Sequence, residues 1–82
     1  MIKVKLIKRI NSNANEIVEK TKPFYEFPIG STCCNQLLFI NDFVPVLVED
    51  EEGKKYKTLF CKECATKTNE WFEVMQESLV KE

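Results

Sequence analysis

The sequence predicts an α+β fold with an N-terminal strand, a short helix, a β-hairpin and a C-terminal amphipathic helix. Three observations lead to this prediction. Apolar residues alternate with lysines at the start of the chain, two β-prone runs flank a polar turn near its middle, and apolar residues near its end recur with a helical period. With 82 residues, the chain is expected to form a single domain, 1–82.

The first element is an amphipathic strand, expected over about residues 2–10, because apolar residues and lysines alternate there. Asn13, three residues before Glu16, is typical of a capped helix start. This short helix is expected to end near Lys22, because the residue before Pro23 avoids helical geometry.

Residues 43–60 predict a β-hairpin with an acidic turn at its tip, where Gly53 can adopt a positive φ. Pro45 lies in the first run and has no backbone donor. We therefore expect this strand to lie at a sheet edge or to be bulged at Pro45.

The last predicted element is a helix over about residues 62–80. Its apolar stripe is expected to pack on the hairpin, although an exposed ridge that binds a partner is the alternative. The residues of the stripe are Ala65, Phe72, Met75 and Leu79, widened by Trp71 and Val74.

Composition narrows the classes of function. The chain has no histidine, no glycine-rich phosphate loop and no carboxylate pair spaced with a nucleophile, so we do not expect an enzyme. The net charge is −1, and all basic residues but Arg9 are lysines, which disfavours tight nucleic-acid binding. A lysine row is expected to be a solvated strand face that discourages edge pairing, and contact with a phosphate backbone is the alternative. The residues of the row are Lys3, Lys5, Arg9, Lys54, Lys55 and Lys57.

The cysteines carry the most informative pattern. Cys61 and Cys64 are separated by two residues, at the predicted end of a strand and start of a helix, and Cys33 and Cys34 lie upstream. Two local pairs can hold one tetrahedral Zn²⁺, which would be structural because no ligand position stays open. No signal peptide or membrane-length apolar run is visible, so a cytoplasmic location is expected, where cysteines stay reduced.

Three other interpretations of the cysteines stay open. Only one of Cys33 and Cys34 could bind the metal, and Asp42 or a water would then be the fourth ligand. All four thiols could be buried as small hydrophobic groups. The spacing of Cys61 and Cys64 is also that of thioredoxin-like redox proteins, which need a larger framework than this chain offers.

The order of elements resembles that of the treble-clef zinc finger: a cysteine pair, then a β-hairpin, then a second cysteine pair at the start of a helix. The stretch 58–65 with Trp71 and Phe72 looks like the C-terminal half of small treble-clef proteins of bacterial and phage genomes. The resemblance covers residues 33–80 and leaves 1–32 as an N-terminal extension. That family pattern has Cys-x-x-Cys at the first knuckle, whereas Cys33 and Cys34 are adjacent here.

The leading functional hypothesis is a zinc-binding module for protein–protein interaction, and the resemblance implies a phage-type modulator of a host factor. A nucleic-acid-binding zinc finger is the alternative, and a thiol redox protein is the second. The aromatic residues Phe24, Tyr25 and Phe27 could either cap the core or form a contact surface. The acidic run 49–52 is most simply a hairpin tip, and a docking element for a basic partner surface is the alternative.

Overall fold

The computed structural model describes residues 1–21, 29–30, 37–38 and 42–82. In these ranges the regular elements are β1 (Ile2–Arg9), α1 (Ala14–Lys20), β2 (Ile29–Gly30), β3 (Leu37–Leu38), β4 (Phe43–Asp50), β5 (Lys55–Cys61), β6 (Trp71–Val74) and β7 (Val80–Lys81), with 3₁₀ turns at Cys64–Thr66 and Gln76–Ser78. Five strands form an antiparallel sheet in the order β6-β1-β4-β5-β7, and β2 pairs separately with β3.

The N-terminal strand and the short helix are confirmed. β1 keeps the alternating pattern, with Val4 and Leu6 fully buried. At the start of α1, the side-chain oxygen of Asn13 accepts a hydrogen bond of 2.8 Å from the amide of Asn15, which satisfies one of the amides that a helix start leaves open. Residues 22–28, with the predicted Pro23 boundary and aromatic patch, lie outside the described residues.

The β4–β5 hairpin is also confirmed, and its turn has a clear cause. Asp50 is buried, and its Oδ1 accepts hydrogen bonds of 2.9 Å from the amides of both Glu52 and Lys54. Gly53 has φ 88° and donates its amide to the Asp50 carbonyl at 3.2 Å. This is a type I turn followed by a residue in the left-handed region, the usual geometry of a three-residue hairpin loop.

Pro45 lies in an interior strand, so the expected edge position was wrong. The alternative, a bulge at Pro45, is not found either, because the pairing with β5 is continuous there and the register of the β1–β4 ladder shifts between Leu6 and Lys8. β4 is paired on both sides, with β1 and with β5. Because hydrogen bonding alternates along an antiparallel strand, the nitrogen of Pro45 faces β1, where the pairing ends at Arg9↔Val46. The next residue, Ile10, still donates its amide to the Pro45 carbonyl at 3.1 Å. The proline therefore ends the ladder with β1 and leaves the ladder with β5 intact.

The predicted C-terminal helix over residues 62–80 does not form, and with it the treble-clef-like α+β architecture is contradicted. A 3₁₀ turn, the edge strand β6, a second 3₁₀ turn and the edge strand β7 occupy this stretch. The fold is therefore mostly an antiparallel sheet with one short helix, α1.

Asn69 explains locally why the helix is interrupted. Its φ is 70°, in the left-handed region that a right-handed helix excludes. Its amide donates to the Leu6 carbonyl at 2.7 Å, and the Leu6 amide donates to the Glu70 carbonyl at 3.0 Å. Asn69 and Glu70 thus both lie opposite Leu6. This arrangement is a β-bulge whose first residue, Asn69, is in the left-handed region. The bulge turns the chain into register with β1.

The main core lies on one face of the sheet, here called the inner face. Its fully buried side chains come from four strands and are Val4, Leu6, Val46, Val48, Phe60 and Val74. Cys64 and Ala65 of the first 3₁₀ turn pack against this cluster, as does the partly buried Leu79. On the opposite, outer face, α1 packs on β4 and β5 through Ile17, which contacts Phe43 and Leu59.

The sheet curls around the inner face. Five strands laid flat would separate β6 from β7 by about 19 Å. The connection from Val74 to Val80 includes a 3₁₀ turn and spans roughly 16 Å at most. The buried hydroxyl of Thr58 donates to the carbonyl of Ser78 in this connection at 3.0 Å. The connection is therefore held against β5 and joins the two edges of the curled sheet.

In the part of the chain that the structure describes, no helix has the length and apolar character needed to cross a membrane.

Candidate functional site

Two of the four predicted metal ligands lie at the end of β5. Cys61 is the last residue of the strand and Cys64 the first of the following 3₁₀ turn. Their exposed fractions are 2% and 6%. The amide of Cys64 donates to the Sγ atom of Cys61 at 3.4 Å. The chain thus folds back on itself within three residues and holds both cysteines at one end of the core.

This geometry fits half of a metal site. Thiolate is the form of cysteine that binds metal, and an amide donor directed at sulfur stabilises it. Cys33 and Cys34 lie outside the described residues, so the four-cysteine site stays a prediction. Among the described residues, no three potential ligands cluster. Asp42 therefore does not join Cys61 and Cys64 in a group of three.

Burial also bears on the redox interpretation. Cysteines that exchange disulfides must be reached by a second thiol and lie in partly exposed surroundings. Cys61 and Cys64 instead pack into the inner core beside Ala65. This arrangement suits a structural role for the pair better than thiol exchange.

The outer face of the sheet interleaves opposite charges where α1 does not cover it. Glu49 lies opposite Lys5 on one side and opposite Lys55 on the other, and Lys3 lies opposite Glu73. Cross-strand neighbours of opposite charge attract each other. A surface that follows a phosphate backbone would need these lysines without the acids between them. The predicted lysine row is therefore not a uniform basic stripe.

Trp71 projects from this outer face at the start of β6, with 51% of its surface exposed. The Lys5 ammonium lies 5.9 Å from the centroid of its ring, within range of a cation–π interaction. Beside it, a groove of about 440 Å³ is lined by Lys3, Glu51, Trp71, Phe72 and Glu73. The groove continues toward the hairpin tip along Asp50 and Glu52.

β6 is an edge strand, and its register shows which backbone groups face outward. Beyond the bulge at Asn69, Phe72 pairs with Val4 and Val74 with Ile2. By the alternation of an antiparallel ladder, Phe72 and Val74 bond to β1. The N–H and C=O groups of Trp71 and Glu73 then point away from the sheet. Among the described residues, no strand pairs with this side of β6.

Two acidic side chains of the groove, Glu51 and Glu73, have no ion-pair partner among the described residues. Within the described ranges, the ion pair found is Lys54 with Glu52, at 4.0 Å. Glu51 and Glu73 have no cationic partner within that distance in the same ranges. Glu73 has Lys3 of β1 as its cross-strand neighbour on one side, and on its other side it borders the open edge of β6, where a cation from outside the chain can approach it.

The predicted core stripe includes Trp71 and Met75, but both are exposed, at 51% and 43%. Phe72 and Leu79 of the same stripe are partly buried against the core. In the structure, burial alternates along 71–74, with Trp71 and Glu73 exposed, Phe72 partly buried and Val74 buried. The sequence signal is shorter, because only Phe72, Glu73 and Val74 alternate between apolar and polar. This period of two indicates a strand, and it was masked by the helical spacing of the longer stretch.

Comparison of the chain with protein-family models, curated proteins and solved structures finds no match. The function is therefore inferred from two features, the cysteine pair at the end of β5 and the groove beside Trp71 on the edge strand β6.

Proposed function

We propose that this chain is a small zinc-stapled domain that binds a protein partner through the exposed side of β6. The observation that carries the proposal is Trp71, a large aromatic side chain half exposed on an edge strand, beside a groove. Tryptophan is among the residues that contribute most to binding energy at protein interfaces.

The zinc part of the proposal rests on the cysteine half-site. Cys61 and Cys64 have the spacing, the burial and the amide–sulfur hydrogen bond expected of a ligand pair. We propose Cys33 and Cys34 as the other two ligands. The bound ion would act as a staple, which small domains often need because their cores are limited. We propose a cytoplasmic location for the domain, where cysteines stay reduced and can bind metal.

A nucleic-acid role receives less support. The lysines that would contact phosphates alternate with glutamates across the strands, as at Lys5 and Glu49. The groove next to Trp71 is lined by more acidic than basic side chains, which would repel a phosphate backbone. The host-factor role implied by the treble-clef resemblance stays a prediction.

The metal is tested by native mass spectrometry of the reduced protein before and after acid release. We expect one zinc per chain, lost in a Cys64→Ser variant. We also expect a chelator to lower the thermal midpoint and a Thr66→Ser variant, changed in the same turn, to keep the metal. A metal-free mass for the fully folded wild-type protein would refute the staple.

Partner binding is tested by selecting random peptides displayed on phage against the immobilised protein. Trp71 is the single tryptophan of the chain, so its fluorescence reports directly on this surface. Selected peptides are expected to shift the emission and to bind a Trp71→Ala variant at least tenfold more weakly. Met75→Ala is the matched control, because Met75 is also exposed but does not line the groove. Equal losses in both variants would argue against a site at Trp71.

A further inference from the structure

We infer that the partner binds as an extended segment that adds an antiparallel strand to β6, with a lysine or arginine opposite Glu73. This inference rests on the proposed function and specifies its partner. It combines the outward backbone groups of β6, the exposed aromatic ring of Trp71 and the unpaired carboxylates of the groove.

The two sheet edges differ in how open they are to an additional strand. β7 has two residues, and one of them is Lys81. Short edge strands and edge lysines both discourage pairing with other chains. β6 has four residues and contains neither lysine nor proline. It therefore lacks two of the devices that commonly protect an edge.

The register of β6 defines the backbone contacts. Since Phe72 and Val74 bond to β1, an added strand would bond to the N–H and C=O groups of Trp71 and Glu73. Antiparallel addition continues the pattern of the whole sheet and is slightly more stable per residue than parallel pairing. Recognition by strand addition takes its affinity from such backbone bonds and its specificity from alternate side chains.

The side chains on the outer face set the sequence preference. In an antiparallel pair, a residue lying opposite Glu73 projects on the same face as Glu73, and the residue two positions later lies opposite Trp71. A basic residue at the first position meets Glu73 and the groove that leads to Glu51. An apolar residue at the second packs against the Trp71 ring. The expected motif is a basic residue, any residue, then an apolar residue.

The size of this contact predicts weak, reversible binding. Four residues of edge strand bury far less than the roughly 1,200 Å² of a standard interface. We therefore expect dissociation constants in the micromolar range or weaker. Binding should weaken with salt, because the basic residue acts through exposed charges.

The experiment uses three capped, β-prone peptides on the full-length protein. The first has a lysine two residues before a valine, the second replaces the lysine with glutamate, and the third carries N-methyl groups on the amides that would face β6. Trp71 fluorescence gives affinity, and amide chemical shifts of Trp71 and Glu73 give the location. We expect the lysine peptide to bind, the glutamate peptide to bind up to about tenfold more weakly, and the N-methylated peptide not to bind.

A charge swap supplies the matched control. Glu73→Lys is expected to reverse the preference in favour of the glutamate peptide. Glu77→Lys, which makes the same charge change at an exposed position of the second 3₁₀ turn, should leave the preference unchanged. Equal effects of the two variants would show that overall charge, and not a contact at Glu73, sets the preference, and would overturn the inference.

Other outcomes separate this inference from the proposed function. Peptides selected by display that depend on Trp71 but tolerate N-methylation would overturn strand addition and leave the protein-binding function standing. Concentration-dependent protection of the Trp71 and Glu73 amides without any peptide would show that a second copy of the chain occupies the edge, which also overturns the inference. Failure of display selection at Trp71 would count against the proposed function itself.

Discussion

Replacing Thr58 with valine should destabilise the domain, although valine matches threonine in shape and is the more apolar of the two. Thr58 is fully buried in β5, and its hydroxyl donates to the Ser78 carbonyl at 3.0 Å. Valine removes the hydroxyl donor and leaves the buried Ser78 carbonyl without a hydrogen bond, which costs about 1–3 kcal/mol. For a domain of this size, each kcal/mol lowers the thermal midpoint by about 4–8 °C.

The sign of the effect makes this a sharp test. Without the hydrogen bond, valine would be neutral or stabilising, because it buries more apolar surface and suits a strand. The assay is urea unfolding followed by circular dichroism, with Thr58→Ser as the variant that keeps the hydroxyl. We expect serine to cost about 1 kcal/mol through the lost methyl group. A Thr58→Val protein as stable as the wild type would refute the role assigned to this bond in holding the connection between the sheet edges.

Three further predictions concern the turns and the aromatic contact. Because Asn69 has a positive φ, Asn69→Gly should raise the free energy of unfolding by a few tenths of a kcal/mol, and Asn69→Ala should lower it by about 1 kcal/mol. Thermal melts of the two variants check this difference in sign. Asp50→Ala should cost about 1–3 kcal/mol by removing the acceptor for two turn amides, whereas the exposed Glu51→Ala should change stability by less than about 0.5 kcal/mol in the same melts. Phe72→Leu should lose an edge-to-face contact with Phe60, whose ring lies 4.9 Å away at 63°, and a double-mutant cycle with Phe60→Leu should measure about 0.5–1.5 kcal/mol of coupling.

The elements that were predicted correctly have local causes. β1 follows from the alternation of apolar residues and lysines, and the β4–β5 turn follows from Gly53 between two β-prone runs. The start of α1 follows from the capping side chain of Asn13. Each of these signals lies within a few residues of the structure that it specifies. Pairing partners do not, which is why Pro45 could be recognised as a break in a ladder but not assigned to the side facing β1.

The C-terminal region shows where local reasoning ends. Phe72, Met75 and Leu79 satisfy a helical spacing, and Phe72 and Val74 satisfy a strand spacing, so periodicity alone does not decide between them. Pairing with β1 favours the strand, because Phe72 and Val74 pair with the side of β1 that faces away from β4. Tertiary pairing therefore overrides the helical pattern. The spacing of Cys61 and Cys64 is local and was enough to predict that they lie close together, whereas the helical spacing of the longer stretch masked the exposure of Trp71.

Because the predicted helix does not form, one short segment connects the cysteine pair at the end of β5 with Trp71 on β6. The segment that follows Cys61 is anchored in the inner core by Cys64 and Ala65, joins β1 at the bulge formed by Asn69, and continues as β6 with Trp71 on its outer face. Had residues 62–80 formed one helix, the second edge of β1 would lack Phe72 and Val74 as partners, and no open strand would lie beside the acidic groove. A metal ion held by Cys61 and Cys64 would fix the start of this crossing. The proposed staple and the proposed binding edge would therefore lie at opposite ends of one short segment, and we expect changes at the cysteines to weaken partner binding at Trp71 without any direct contact between them.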